Sequence, residues 1–205
     1  MWSEEEYGEL LKTGGGKERM TLYFGRRADE EPFASRGEAE RAAFVAELHA
    51  LKTRLFVELV ERGELRLRPG VARLVNEAMQ AGVKLGVCST SNEAAVSGIV
   101  RLLGPAAAAA MRVFAGDVVA KKKPDPSIYL LAAKELDVTP TRCVVIEDSA
   151  IGLRAAKAAG MRCIITKNKY TEEEDFGAAD AIFDCIGEAG EPRFGLSEVI
   201  SIAGK

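Results

Sequence analysis

The stretch Cys143–Gly160, CVVIEDSAIGLRAAKAAG, decides the fold. Val144, Val145 and Ile146 form a short apolar, β-branched run, which predicts a strand buried on both faces. Glu147 and Asp148 follow at once. Ser149 then offers a helix cap, an alanine-rich helix follows, and Gly160 stops it. Two carboxylates therefore stand where a parallel strand ends and a helix begins, the edge at which open α/β sheets bind ligands. Side-by-side carboxylates favour a hard cation, and Mg²⁺ takes few carboxylates and several waters. Taken alone, the same stretch also reads as a capped helix with a solvated acidic turn.

Working outward, the 205 residues suit one medium domain, or a domain plus a small appendage. Hydrophobic residues at 47% and charged residues at 29% predict a globular chain rather than a disordered one. The net charge of −3 gives no case for nucleic acid, and no apolar run approaches the length of a membrane span. The opening MWSEEEYGEL has no signal-peptide core and is acidic, unlike a transit peptide. The expectation is a protein that stays where it is made, or one whose leader lies outside this sequence. Cys88, Cys143, Cys163 and Cys185 form no CxxC pair. In or beside strands they are expected to act as small hydrophobes in a reducing compartment, with no disulfides or zinc.

Residues 1–67 carry almost no strand signal. Helices are expected over Glu4–Lys12 and Lys17–Phe24, separated by Gly14-Gly15-Gly16. From about Arg36 to Arg62, Phe44, Val45, Leu48, Leu51, Leu55, Phe56, Leu59 and Val60 recur at helical steps, as one amphipathic helix or two in tandem. At Arg68-Pro69-Gly70 the character changes. Helices are expected at Val71–Gln80, Glu93–Leu103, Ala106–Ala110 and Ser127–Leu136, and strands at Val83–Cys88, Val113–Ala115, Arg162–Thr166 and Ala181–Phe183. The acidic run Glu172–Asp175 reads as a solvated face. The alternation after residue 68 implies a mostly parallel sheet with right-handed crossovers.

Polar groups fall at the carboxyl ends of three successive strands: Ser89, then Lys123 in the loop before Pro124, then Glu147 and Asp148. A hydroxyl, an ammonium and a carboxylate pair for Mg²⁺ together suit a phosphoryl group, whose transfer is mostly positioning and electrostatic stabilisation. Singly, Ser89 reads first as a cap for the helix that follows, and Lys123 also reads as an ordinary surface lysine beside Lys121 and Lys122.

This order resembles motifs two to four of the haloacid dehalogenase (HAD) superfamily of aspartate-nucleophile phosphatases. The strings GGGKERM (14–20), LRPGV (67–71), VCSTSNEAAVS (87–97), FAGDVVAKKKPDPSIY (114–129), VVIEDSAIGLRAAKAAGM (144–161) and FDCIG (183–187) resemble its CbbY-like branch. That branch includes phosphatases acting on xylulose 1,5-bisphosphate. The resemblance implies a HAD-like Rossmannoid core over 68–205 and a helical cap over 1–67. It implies that Ser89 holds a phosphoryl oxygen, Lys123 neutralises charge, and Glu147 and Asp148 hold Mg²⁺. Gly15, Gly16, Lys17 and Arg19 match the cap loop that grips the sugar or its distal phosphate, and Thr90 and Asn92 join the substrate site. A glycine turn opening a helix bares backbone N–H groups to an anion, although it also reads as a flexible helix stop. The triglycine is no P-loop, since Leu11 and Glu18 stand at two required positions. Asn92 stands where a related mutase carries a lysine, which favours hydrolysis. His49, the only histidine, lies on the long helix as a surface or core position, with catalysis open. A monomer in the chloroplast stroma, or otherwise the cytoplasm, follows from the family. A phosphorelay receiver also uses acids, Ser/Thr and Lys-Pro at strand ends, but in the reverse order.

The superfamily's first motif, an apolar strand ending in Asp-x-Asp-Gly, has no counterpart here; Asp184-Cys185-Ile186-Gly187 lacks the second carboxylate. The expectation is a chain truncated at its start, without its nucleophile and inactive by itself. The alternative is a non-catalytic phosphate-binding or regulatory protein. The missing strand belongs between those ending at Ser89 and Glu147. At about 4.8 Å per strand its loss opens a gap near ~10 Å, with unpaired backbone costing about 1–3 kcal/mol per buried group.

Overall fold

The computed structural model describes residues 2–188 and 194–204. The parallel sheet expected from the alternating pattern is present in two pieces. β1 (Leu85–Cys88) runs parallel to β2 (Met111–Phe114), with Leu85 opposite Met111 and Cys88 opposite Phe114. β3 (Val144–Glu147), β4 (Arg162–Thr166) and β5 (Ala181–Phe183) form the second piece, in the order β3-β4-β5, also parallel. β1 and β3 pair on one side only, so neither has a strand on its other edge among the described residues.

This division corrects the reading of β3 as buried on both faces. Ile146 is 38% exposed, whereas Cys163, Ile164 and Ile165 of β4 are 0% exposed. β4 has a strand on each side and β3 has only one, so β3 behaves as an edge strand. Two other boundaries shift. The strand expected from Val83 begins at Leu85, because Val83 still closes the preceding turn, its N–H donating to the Ala78 carbonyl. The strand expected at Val113 begins earlier, at Met111, where pairing to Leu85 starts.

Helices cover both faces of the sheet. α4 (Val71–Gln80) leads into β1, α5 (Glu93–Arg101) and α6 (Pro105–Ala110) connect β1 to β2, α7 (Ser127–Glu135) connects β2 to β3, α8 (Ala150–Ala158) connects β3 to β4, and α9 (Leu196–Ala203) follows β5. α7 and α8 bury Ile128, Tyr129, Leu153 and Ala156 against Phe114, Cys163 and Ile165. Leu74 of α4 and Ile202 of α9 bury Ile164 and Phe194 on the other face. The sequence reading did not anticipate α9. The acidic run after Lys169 is not wholly solvated either. Glu174 accepts a hydrogen bond from the Ala150 N–H at 2.5 Å and so helps to cap α8, beside Ser149, whose Oγ accepts from Gly152 N–H at 3.2 Å. All four cysteines are free thiols.

The first third is helical: α1 (Glu4–Leu11), α2 (Gly16–Gly25) and a single α3 (Glu38–Glu61). Phe24, Phe33 and Phe44 pack between α2 and α3 with ring centroids 4.8–6.0 Å apart. The apolar stripe of α3 is only partly covered. Val45 and Val60 are buried, but Leu51 is 39% and Leu55 49% exposed. They line a groove of about 530 Å³ together with Trp2, Met20, Phe24 and Leu48. The stripe is longer than the surface that α2 offers it. No helix of the described residues is long and apolar enough to cross a membrane.

Asp180, just ahead of β5, ties α8 to β4. It accepts from Lys157 at 2.7 Å, Arg162 at 3.1 Å and the Cys163 N–H at 2.7 Å. Burial pushes its carboxyl up, but the bonds from Lys157, the Cys163 amide and Arg162 outweigh burial and hold it below the usual range. A depressed folded value means stability that is present above the ordinary carboxylate range and lost as pH falls through the folded value. Asp180→Asn is expected to cost about 2 kcal/mol at neutral pH, as for hydrogen bonds to a charged group. It should also flatten the acid limb of stability. Urea denaturation at pH 7 and pH 3 reads both, and an unchanged acid limb would contradict the assignment.

Candidate functional site

β1 runs parallel to β2 and β3 to β4, so within each piece the loops after the strands open on one edge, and a single side chain brings the two edges together. That side chain is Lys123, in the loop after β2. Its Nζ donates to the Cys88 carbonyl at 2.8 Å and to Glu147 Oε1 at 2.6 Å. Both side chains of this ion pair are only 10% exposed. Tyr129, at the start of α7, donates its hydroxyl to the same Oε1 at 2.5 Å, and its ring lies 4.6 Å from the Lys123 ammonium. Burial first, and then the Glu147 charge, raises the Tyr129 phenol and keeps it a donor. Glu147 Oε2 accepts from Asp148 N–H at 3.2 Å and Ser149 Oγ at 3.3 Å. A Cβ on Gly152 would overlap the Glu147 carboxylate, so that glycine makes room for it.

Asp148 is less well compensated. Burial, then the Glu147 charge, raises its carboxyl, while Arg68, Asn168 and Lys123 oppose the rise. Asn168 Nδ2 donates to Asp148 Oδ2 at 3.0 Å. The pair Glu147 and Asp148 offers oxygen ligands alone, with one carboxylate short of countercharge. That donor set fits Mg²⁺, which completes its octahedron with water and phosphate oxygens. No cluster of three metal-ligating His, Cys, Asp or Glu occurs among the described residues.

Ser89 extends β1, its N–H donating to the Phe114 carbonyl at 2.9 Å. Its Oγ accepts from Ser91 N–H at 3.1 Å, which leaves the hydroxyl proton to donate elsewhere. The helix that follows is capped by Asn92, whose Oδ1 accepts from Ala94 N–H at 2.9 Å. The capping role open to Ser89 thus falls to Asn92, and the Asn92 oxygen is engaged by backbone. Thr90 is half-buried beside Ser89.

The triglycine turn comes down on this edge. A Cβ on Gly14 would lie 2.8 Å from the Lys123 carbonyl oxygen, so the turn sits on the lysine-proline loop. Gly15 (φ 94°) caps α2, which begins at Gly16. A Cβ on Gly16 would lie 3.1 Å from His49 Nε2. Arg19 Nε holds the turn through the Thr13 carbonyl at 2.8 Å. Burial, then Lys52, lowers the His49 imidazole, with Lys17 acting in the same direction. Burial, then Arg19, lowers Lys52. Lys17 and Lys52 thus act on a His49 imidazole that is lowered and so held neutral at neutral pH, with Arg19 beside Lys52 and with Glu18 and Asp117 opposing the fall, a largely cationic setting that an anion relieves.

Four residues here went unnoticed in the sequence. Lys52 was accessible, since it stands one turn beyond His49 on the same helix face. Asn168 follows the next parallel strand, β4, and so belongs to the same edge. Tyr129 sits among apolar residues of α7, and nothing local marks its hydroxyl. Arg68 has no local signal; its guanidinium donates to the Lys167 carbonyl at 2.6 Å, 99 residues away.

Residues 2–160 match the haloacid dehalogenase-like hydrolase family, and the chain belongs to that family. It is 61% identical over 197 residues to the CBBY-like protein of Arabidopsis thaliana, covering 96% of this chain and 61% of that protein. The chain thus spans about three-fifths of that relative's length. It is 44% identical over 192 residues to protein CbbY of Cereibacter sphaeroides, covering 92% of this chain and 79% of that one. The crystal structure of CbbY from Rhodobacter sphaeroides in complex with phosphate aligns at TM-score 0.82 and 44% identity, over 96% of this chain and 83% of that chain. A mutant of the same protein, in complex with xylulose-(1,5)bisphosphate, aligns at TM-score 0.82 and 43% identity, with the same coverage.

Proposed function

We propose that this chain carries the phosphate-binding and metal-binding parts of a Mg²⁺-dependent sugar-bisphosphate phosphatase, with a substrate of the xylulose 1,5-bisphosphate type. The supporting observation is Lys123, whose buried ammonium ties the Cys88 carbonyl to Glu147. A fixed cation at the meeting of three strand ends is suited to a phosphoryl group. Residues 1–67 act as the cap and residues 68–205 as the core. Ser89 donates to a phosphoryl oxygen, and Lys123 neutralises charge beside it. Glu147 and Asp148 would hold Mg²⁺, which when bound supplies charge neutralisation at the phosphoryl oxygens. Lys17, His49 and Lys52 take the distal phosphate of a bisphosphate, while Gly15, Gly16 and Arg19 shape the turn around it. The protein works as a monomer in a plastid, or otherwise in the cytoplasm.

No Asp-x-Asp occurs in the 205 residues. The chain by itself therefore binds but does not turn over. Phosphate release from xylulose 1,5-bisphosphate with Mg²⁺ tests this in two forms of the protein, the chain alone and the chain preceded by a strand bearing Asp-x-Asp-Gly. Release from the extended form only is expected. Mg²⁺-dependent release from the chain alone would contradict the assignment. In the extended form, Lys17→Ala is expected to raise KM for the bisphosphate about tenfold or more, as for loss of a charged contact, and to leave monophosphates nearly unchanged. Equal effects would remove the distal-phosphate role. The same missing motif favours one other reading, a non-catalytic phosphate-ligand sensor. Tight binding with no turnover in the extended form would establish that instead.

A further inference from the structure

The loop after β4 touches both the acidic pair and the first helix. Lys167 N–H donates to the Phe183 carbonyl at 3.0 Å, and Arg68 donates to the Lys167 carbonyl at 2.6 Å, so the base of the loop is fixed. Asn168 Nδ2 donates to Asp148 Oδ2 at 3.0 Å and reaches the Asp148 carbonyl at 3.4 Å. Its own Oδ1 accepts from Tyr170 N–H at 2.8 Å, which orients the amide with its nitrogen toward Asp148. The next two residues face the other way. Lys169 pairs with Glu4 of α1 at 2.5 Å. The Tyr170 ring meets the Tyr7 ring of α1 edge-on, with centroids 5.5 Å apart at 86°. Tyr7 in turn stacks on Trp2 at 5.9 Å. Three consecutive residues thus join Asp148 to α1, and neither the Lys123 pair nor the triglycine turn takes part.

We propose that this loop couples the helical unit to the metal-binding carboxylate: Asn168 is a positioning residue for Asp148, and Lys169 and Tyr170 hold α1 in step with it. The inference rests on the reading of Asp148 as a Mg²⁺ ligand. An amide fixed at both ends selects one carboxylate orientation and leaves the other oxygen, Oδ1, free to ligate. A shift of Asp148 on ligation moves the amide, and the amide carries the Tyr170 backbone with it. By reciprocity, whatever holds α1 against Tyr170 favours the same carboxylate orientation. The Lys169–Glu4 pair is exposed, with side chains 71% and 69% accessible. It therefore adds little, and the aromatic contact carries most of the link.

Calorimetric titration with Mg²⁺ tests this in the 205-residue chain and its variants. Asn168→Ala is expected to weaken Mg²⁺ about tenfold or more, the usual effect of removing a partner behind a metal ligand. Tyr170→Ala touches no carboxylate, yet is expected to weaken Mg²⁺ about fivefold, the low end of coupling between sites. A second readout needs no variant. Trp2 is the single tryptophan and lies at the α1 end of the link, so its emission should change as Mg²⁺ saturates the unaltered chain. The same change should be absent from Tyr170→Ala at saturating Mg²⁺. Mg²⁺ binding within twofold of the unaltered chain in Tyr170→Ala, with silent Trp2 emission, overturns the coupling and leaves the metal site standing. No Mg²⁺ heat from the unaltered chain, or heat that survives Asp148→Asn, overturns the metal site and the coupling with it.

Discussion

Lys123→Met is expected to destabilise the metal-free protein by about 3–5 kcal/mol, the penalty for removing one partner of a buried ion pair. The substitution keeps much of the side-chain volume and removes the charge. Glu147 is then left 10% exposed, with Tyr129, Ser149 and the Asp148 amide as hydrogen-bond donors and no cation in contact. Asp148, already short of countercharge, stands beside it. The double substitution with Glu147→Gln should recover much of the loss, because the unpaired charge is then gone. Urea denaturation of the two single variants and the double variant measures the coupling. A single variant within about 0.5 kcal/mol of the unaltered chain, the usual range for a surface change, would show that the pair is not buried in solution.

Gly152→Ala has a sign that helix propensity alone gets wrong. In a helix interior, alanine is preferred to glycine by roughly 1 kcal/mol, so α8 considered alone would be stabilised. The new Cβ, however, would occupy the space of the Glu147 carboxylate. That carboxylate cannot retreat without leaving Lys123 and Tyr129. Overpacking of this kind costs about 1–3 kcal/mol, and the strained ion pair adds to it. The expected result is a net loss of about 2 kcal/mol or more, the overpacking term prevailing, with weaker Mg²⁺ binding. Stabilisation on urea denaturation would mean that Glu147 already points elsewhere.

Much of this site was legible because Ser89, Glu147 and Asp148 follow apolar runs where strands stop, and Lys123 lies in the loop after another strand. Ser89, Lys123, Glu147 and Asp148 could be assigned to one edge from the order of strands alone. Ser149 and Gly160 marked the ends of α8 through local chemistry, and Arg162–Thr166 was legible as a strand. What stayed hidden depends on distant partners. The exposure of Ile146 follows from which strands lie beside β3, and the partial cover of Leu51 and Leu55 from the extent of α2. Tyr129 looks like core until Glu147, 18 residues on, turns back under the sheet edge to meet it. Glu174 looks solvated until its reach to the Ala150 amide is known.

The central claim is that the loops after β1, β2 and β3 hold one phosphate beside one divalent ion. The most direct measurement is ³¹P relaxation of inorganic phosphate in the presence of the 205-residue chain and Mn²⁺ in place of Mg²⁺. Strong Mn²⁺-dependent broadening is predicted for the unaltered chain, lost with Asp148→Asn and diminished with Ser89→Ala. Broadening that persists unchanged in both variants, or phosphate that binds with no effect from Mn²⁺, would contradict it.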